Sequence, residues 1–224
     1  LRALVQILRA KQAKIVLAAP TGRAAQRMSE AARHFAQTIH RLLKIDPETG
    51  RFVMKEDNPL ACDILIVDET SMLDTRLAAA LLKAVPAHAH VLLVGDADQL
   101  PSVGAGNVLK DLIQARVGPV TRLAQVFRQN ERSEIVLTAH RILEGSPASP
   151  RPQEALAQLE AKKDMQLLTS STPEACLEHL VGLCKEWLPK QLGIDPISQA
   201  QVLVPMHRGL VGTEHINRVL QKAL

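Results

Sequence analysis

The hydrophobic positions of this chain fall in short solid runs separated by amphipathic stretches. The clearest run is Ile64-Leu65-Ile66-Val67, set between Asp63 and the pair Asp68-Glu69. A run with no polar alternation suits a strand buried on both faces, as in a parallel sheet. Runs of this kind predict strands over 14–19, 63–68, 90–96, 120–126, 165–170 and 201–206. The stretches between them predict helices over 22–34, 73–85, 104–116, 133–144, 173–188 and 210–223, and residues 1–12 read as a further amphipathic helix. Strands alternating with helices imply an α/β protein with helices on both faces of a parallel sheet.

Two stretches break this rhythm. Ile45-Asp46-Pro47-Glu48-Thr49-Gly50-Arg51-Phe52-Val53-Met54 places a turn cluster between β-formers and predicts a projecting hairpin at about 45–58. Gly145-Ser146-Pro147-Ala148-Ser149-Pro150 is a connector rich in proline and serine. A change of domain is expected earlier, near Val117-Gly118-Pro119, giving domains over 1–118 and 119–224. Leu1 begins inside a helical pattern with no cap before it, and a helical pattern still runs at Leu224, so the chain reads as a piece of a longer protein.

Composition narrows the function classes. The chain has 224 residues, 46% of them hydrophobic, with a net charge of +4. That charge is modest and is explained by solubility as readily as by nucleic acid. The three cysteines, Cys62, Cys176 and Cys184, show no CxxC spacing, which argues against a structural zinc site or a disulfide framework and for reduced thiols in the cytoplasm. Aromatics are scarce, with three Phe, one Trp and no Tyr. A chain so poor in rings would grip a single strand through its backbone phosphates rather than by base stacking.

The candidate chemistry sits at the strand tips. Asp68 and Glu69 end an aliphatic strand, where one carboxylate can hold Mg²⁺ and the next can orient or deprotonate water. The alternative is that Asp, Glu, Thr and Ser here merely cap the next helix. Gly95-Asp96-Ala97-Asp98-Gln99-Leu100-Pro101 ends a second such strand. Gln99 can donate and accept, as a γ-phosphate sensor must, or it is a polar turn residue. Ala19-Pro20-Thr21-Gly22-Arg23 joins a strand to a helix and gathers donors that suit a phosphate, though such junctions are common. Thr38-Ile39-His40-Arg41 offers a second donor cluster, in which His40 is equally a cap or core residue. Phe127-Arg128-Gln129 brings an arginine that either meets a phosphate or lies on the surface.

Taken in order, these segments resemble a RecD-like superfamily 1B DNA helicase, of the exodeoxyribonuclease V α-subunit type. Ala19-Pro20-Thr21-Gly22-Arg23-Ala24-Ala25 resembles motif Ia and Thr38-Ile39-His40-Arg41-Leu42-Leu43 motif Ib. Val67-Asp68-Glu69-Thr70-Ser71-Met72 is similar to motif II, and the stretch from Gly95 to Gly106 to motif III. Val126-Phe127-Arg128-Gln129 resembles motif IV, and Val204-Pro205-Met206-His207-Arg208-Gly209 the segment before the family's SH3-like insertion. The resemblance implies RecA-like P-loop NTPase domains, one nearly complete and one partial, that use ATP and Mg²⁺. It implies an ATP-driven motor moving 5′ to 3′ on single-stranded DNA in recombination and repair.

In that motor Asp68 binds Mg²⁺, Glu69 activates water, Gln99 senses the γ-phosphate and Arg128 reaches the nucleotide from the second domain. Thr21, Arg23, His40 and Arg208 would touch DNA, and the hairpin at 45–58 stands where the family places its strand-separating pin. The implied partners are single-stranded DNA, duplex junctions and the nuclease or helicase subunits of a recombination complex, with no membrane. The chain departs from the family in holding no G-x-x-x-x-G-K-[ST] loop, which is expected before Leu1, while the late motifs are expected beyond Leu224. These 224 residues are therefore expected to hydrolyse little ATP. Two other readings stay open: a non-hydrolysing DNA- or partner-binding α/β module, and the motor part of a conjugative relaxase-helicase.

Overall fold

A computed structural model describes residues 1–123, 133–146 and 150–224, which divide into two compact units, Leu1–Arg122 and Leu123–Leu224. The first unit is built from α1 (Arg2–Ala10), β1 (Ile15–Ala19), α2 (Gly22–Ala32), β2 (Ala36–Thr38), α3 (Ile39–Leu43), β3 (Ile64–Val67), α4 (Thr75–Ala84), β4 (His90–Leu93) and α5 (Val108–Gln114). Its four strands are parallel, in the order β2-β1-β3-β4.

The aliphatic runs become strands because each has apolar partners on both faces. Along β3, Leu65 and Val67 join a core with Ala18, Ile39, Leu43, Leu77 and Leu81. Ile66 points the other way and joins Val5, Leu17, Met28, Ala32 and Ala36. This period-two division puts α3 and α4 on one face and α1 and α2 on the other. Strand β2 was not foreseen; Ala36-Gln37-Thr38 is too short and too mixed to show a period.

The 45–58 segment forms a turn closed by isolated bridges. Ile45 and Phe52 form an antiparallel bridge, and Lys55 and Asn58 another. Asp46 accepts from the backbone N–H groups of Glu48 (2.8 Å) and Thr49 (3.2 Å), which lowers its carboxyl below the ordinary range. Phe52 and Met54 pack back onto the core of the sheet.

The second unit holds α6 (Glu134–Leu143), α7 (Pro173–Gly182), a π-helical continuation over Leu183–Leu192 and α8 (Thr213–Ala223). Pro189 lies inside that continuation and cannot donate a backbone hydrogen bond, a recognised cause of altered helical winding. The strands expected over 165–170 and 201–206 do not form among the described residues. Among the described residues the one β-type bridge to 165–170 comes from Gln153: its N–H donates to the Leu167 carbonyl at 2.9 Å, and Thr169 N–H donates back to Gln153 at 2.8 Å. The strand expected over 120–126 runs into residues outside the described set; 120–123 are not strand.

Candidate functional site at the carboxyl edge of the sheet

Because the strands are parallel and in register, their carboxyl ends share one edge. Ala19 pairs with Thr38, Ala18 with Val67, and Val67 with Leu93. The loops after β1, β3 and β4 therefore leave side by side, bringing Thr21, Asp68-Glu69 and the Gly95–Gln99 stretch to the same edge. The strand order reverses direction between β1 and β3, and crevices at such reversals are where open α/β sheets bind ligands. Thr21 and Asp68 flank that point.

Helix capping by Asp68 and Glu69 is excluded by the observed cap. Asp74 caps α4, its Oδ1 accepting from Leu77 N–H at 2.7 Å. Asp68 Oδ1 instead accepts from the N–H of Glu69 at 2.9 Å. Glu69 takes left-handed backbone angles, φ 56° and ψ 40°. Gln12, Arg33, Lys44 and Arg116 also have positive φ, but each follows a helix, and Arg33 closes the last turn of α2 in the left-handed conformation. Glu69 follows a strand and opens a 3₁₀ turn over Thr70–Met72. A non-glycine residue held there costs on the order of 1–3 kcal/mol, a cost concentrated at functional sites.

The second acid-tipped loop is self-bonded. Asp96 Oδ1 accepts from Asp98 N–H at 3.0 Å, and the Asp96 carbonyl accepts from Gln99 N–H at 3.3 Å. Gln99 and Leu100 are exposed at its tip. The two loops are joined by Thr70, whose N–H (3.0 Å) and Oγ1 (2.8 Å) both donate to the carbonyl of Val94.

Thr21 caps α2, its Oγ1 accepting from Ala24 N–H at 3.2 Å, which leaves its own O–H free to donate. Thr38 caps α3 in the same way through Arg41 N–H at 3.2 Å. Arg23 is exposed in the first turn of α2. His40 is exposed in the first turn of α3, its ring 6.0 Å from that of Phe52 and tilted by 53°. Arg208 is exposed in the turn before α8, in the second unit. Arg128 lies outside the described residues.

Sequence reasoning passed over Thr70, Asp74, Gly95, Gly104 and Gly106. The spacing Gly104-Ala105-Gly106 was the available signal, since paired glycines mark a close backbone approach. Here Gly106, at φ +114°, and Gly104 lie against Thr75 and Asp74.

The donor set suits a magnesium nucleotide. Among the described residues no three His, Cys, Asp or Glu gather as a cage. Mg²⁺ of a nucleotide commonly takes one or two carboxylates and completes its shell with water and phosphate oxygens, which Asp68 can serve. Among the described residues, no helix is long and apolar enough to cross a membrane.

Comparison with known proteins agrees with this geometry. A family model described as AAA domain matches residues 1–170. The ATP-dependent RecD2 DNA helicase of Deinococcus radiodurans is 38% identical over 209 residues, covering 93% of this chain and 26% of that protein. The RecBCD enzyme subunit RecD of Mycolicibacterium smegmatis is 32% identical over 236 residues, covering 94% of this chain and 41% of that protein. The chain thus spans well under half the length of either relative. A solved structure of two coordinating Pif1 helicases at forked duplex DNA is 20% identical with a TM-score of 0.41, covering 83% of this chain and 45% of that one, a likeness too slight to bear on function. With the family model spanning most of its length and its acid-tipped strands set side by side, the chain belongs to the AAA domain family and is similar to RecD-like proteins within it.

Proposed function

We propose that the whole protein is an ATP-dependent DNA helicase that moves 5′ to 3′ along single-stranded DNA in recombination and repair, in the cytoplasm. The observation that carries this reading is Glu69, held in a left-handed conformation beside Asp68 at the point where the strand order reverses. Asp68 would hold the magnesium of the nucleotide, and Glu69 would orient and deprotonate the attacking water. When bound, the cation neutralises charge on the phosphates being parted. Gln99 would respond to the γ-phosphate from the neighbouring loop. Arg128 would neutralise charge in the transition state.

Thr21, Arg23, His40 and Arg208 would line the DNA track. Thr21 contributes a free O–H donor, and the others contribute exposed basic side chains or a ring nitrogen. The domains over 1–118 and 119–224 would be two motor lobes, and the 45–58 turn would be the pin that parts the duplex. Nuclease or helicase subunits of a recombination complex are the protein partners this reading admits.

Strand separation tests the reading. With ATP and Mg²⁺, the whole protein should unwind a duplex bearing a 5′ single-stranded tail and leave a 3′-tailed duplex intact. Absence of both unwinding and DNA-stimulated ATPase overturns the reading. The 224 residues by themselves, lacking a G-x-x-x-x-G-K-[ST] loop, should show little ATPase; robust turnover would contradict the assigned need for that loop.

A further inference from the structure

The loop carrying Gln99 stands at both ends on the segment that follows Glu69. At its start, the carbonyl of Val94 receives two hydrogen bonds from Thr70, through N–H at 3.0 Å and Oγ1 at 2.8 Å. Thr70 is 1% exposed, so the donor side of these bonds is buried while the Val94 side reaches the surface. A Cβ on Gly95 would lie 2.6 Å from Thr70 Oγ1 and 3.0 Å from Thr70 N, so the seat accepts glycine alone without a shift. At the loop's far end, Thr75 N–H donates to the Ala105 carbonyl at 3.0 Å, and a Cβ on Gly104 would lie 2.8 Å from that of Asp74. Ser102 Oγ closes this end by donating to the carbonyls of Gly104 (2.8 Å) and Gly106 (3.0 Å). Between the anchors the tip is open to solvent, with Leu100 87% and Val103 109% exposed.

The position of β4 gives the Thr70 hydroxyl its weight. Among the described residues, β4 is an edge strand whose one strand neighbour is β3. Its register ends at Val67 with Leu93, and beyond that the Val94 N–H donates to Val67 at 2.8 Å. The peptide after Val94 is then held by Thr70. A single N–H bond would let the strand tip pivot; the hydroxyl adds a second anchor on the same carbonyl, which has two lone pairs to offer.

We propose that Thr70 is the positioning residue that makes the acid pair and the Gln99 loop move as one piece, so that the state of the phosphate at Asp68-Glu69 reaches the exposed loop tip. Thr70 touches neither nucleotide nor DNA in this role. The inference rests on the motor reading above and adds to it the part that transmits.

The test uses the whole protein with Thr70→Val, Thr70→Ser, Gly95→Ala and, as a control on the motor reading, Glu69→Gln. Valine keeps the backbone N–H bond and the branched shape but removes the hydroxyl. Thr70→Val should lower DNA-stimulated kcat about tenfold, the size expected for one hydrogen bond. The KM for ATP should stay near the parent value, the melting temperature should fall only by the few degrees that one lost hydrogen bond costs, and Thr70→Ser should restore turnover. Full turnover by a folded Thr70→Val protein overturns the proposal. So does a joint fall of kcat, KM and melting temperature that serine does not rescue, since that marks a merely structural role. If Thr70→Val does not fold, Gly95→Ala presses on the same contact from the loop side and should show the same selective loss of kcat; normal turnover there overturns the proposal. Failure of the motor reading is distinguishable, because then Glu69→Gln retains turnover. Collapse of Glu69→Gln beside an unaffected Thr70→Val removes the role of Thr70 alone.

Discussion

The unit Leu1–Arg122 buries both faces of a parallel sheet, while among the described residues of Leu123–Leu224 the buried side chains are Thr138, Cys184 and Ile216. The first unit carries four consecutive aliphatics, whereas the stretch expected as a strand in the second is broken by Gln166 and ends in Thr169-Ser170. Ile64-Leu65-Ile66-Val67 finds strands on either side and helices above and below. Met165-Gln166-Leu167-Leu168-Thr169-Ser170 finds, among the described residues, an isolated bridge to Gln153 in place of a strand. A strand is completed by its neighbours, so apolar content alone does not make one. The same contrast governs the chemistry. Asp68, Glu69 and Gln99 acquire fixed places because parallel register brings their loops to one edge, whereas Arg208 sits exposed in a turn that no strand positions.

The largest expected effect breaks or sustains this contrast in stability. Ile66→Ala, at a fully buried site in the centre of the sheet, should cost about 3–5 kcal/mol in urea denaturation. Ile216→Ala, in the thinner core of the second unit, should cost about 2 kcal/mol or less, because its surroundings collapse more readily. Equal costs would mean that the two cores are equally tight.

A smaller effect is expected at the α4 cap. Asp74→Ala removes the acceptor for Leu77 N–H and should cost about 1 kcal/mol. A much smaller loss would show that Asp74 is replaceable there by water.

Smaller still are the single phosphate contacts assigned across both units. Arg23→Ala and Arg208→Ala should each weaken single-strand binding a few-fold and flatten the salt dependence by about one counterion. An unchanged slope for Arg208→Ala with a reduced one for Arg23→Ala would confine the track to the first unit.

The smallest effect concerns the thiols. Cys176 is exposed, whereas Cys62 and Cys184 are buried. Burial, reinforced at Cys62 by the Asp63 carboxylate, pushes both buried thiols above the ordinary value of 9.0. Maleimide should therefore label Cys176 first, Cys184 next as the thinner unit opens, and Cys62 last. A raised thiol pKa favours the fold while both states are neutral, so this contribution is present below pH 9 and declines as pH rises past it, as the unfolded chain ionises first. Labelling of Cys62 ahead of Cys184 would reverse the ranking of the two units.

Much of the first unit was legible from its residues. The aliphatic runs placed β1, β3 and β4 to within a few positions, β1 and β3 because burial on both faces leaves no polar alternation to confuse the reading, and β4, a more exposed edge strand, because its Val91-Leu92-Leu93 run is unbroken. The position of the acid pair at a strand tip was legible because a cap needs no aliphatic strand before it. The cap itself was not, since Asp74 is one polar residue among several, and only geometry shows which oxygen meets Leu77 N–H. Thr70 was hidden for the same reason: its partner Val94 lies on another strand, and the sheet's register joins them. The expected strands of the second unit misled because their apolar residues imply burial without saying against what. Motif resemblance supplied the roles proposed for Thr21, Arg23 and His40; local pattern alone left them equally readable as ordinary junction residues.

The central claim is that Asp68 and Glu69 share one magnesium nucleotide while doing different work. Equilibrium binding of a fluorescent Mg·ATP analogue, measured beside single-turnover hydrolysis for Glu69→Gln in the whole protein, tests it most directly. Binding should stay within about threefold of the parent while hydrolysis falls by roughly a thousandfold or more. Equal loss of binding and hydrolysis, or hydrolysis left intact, would contradict it.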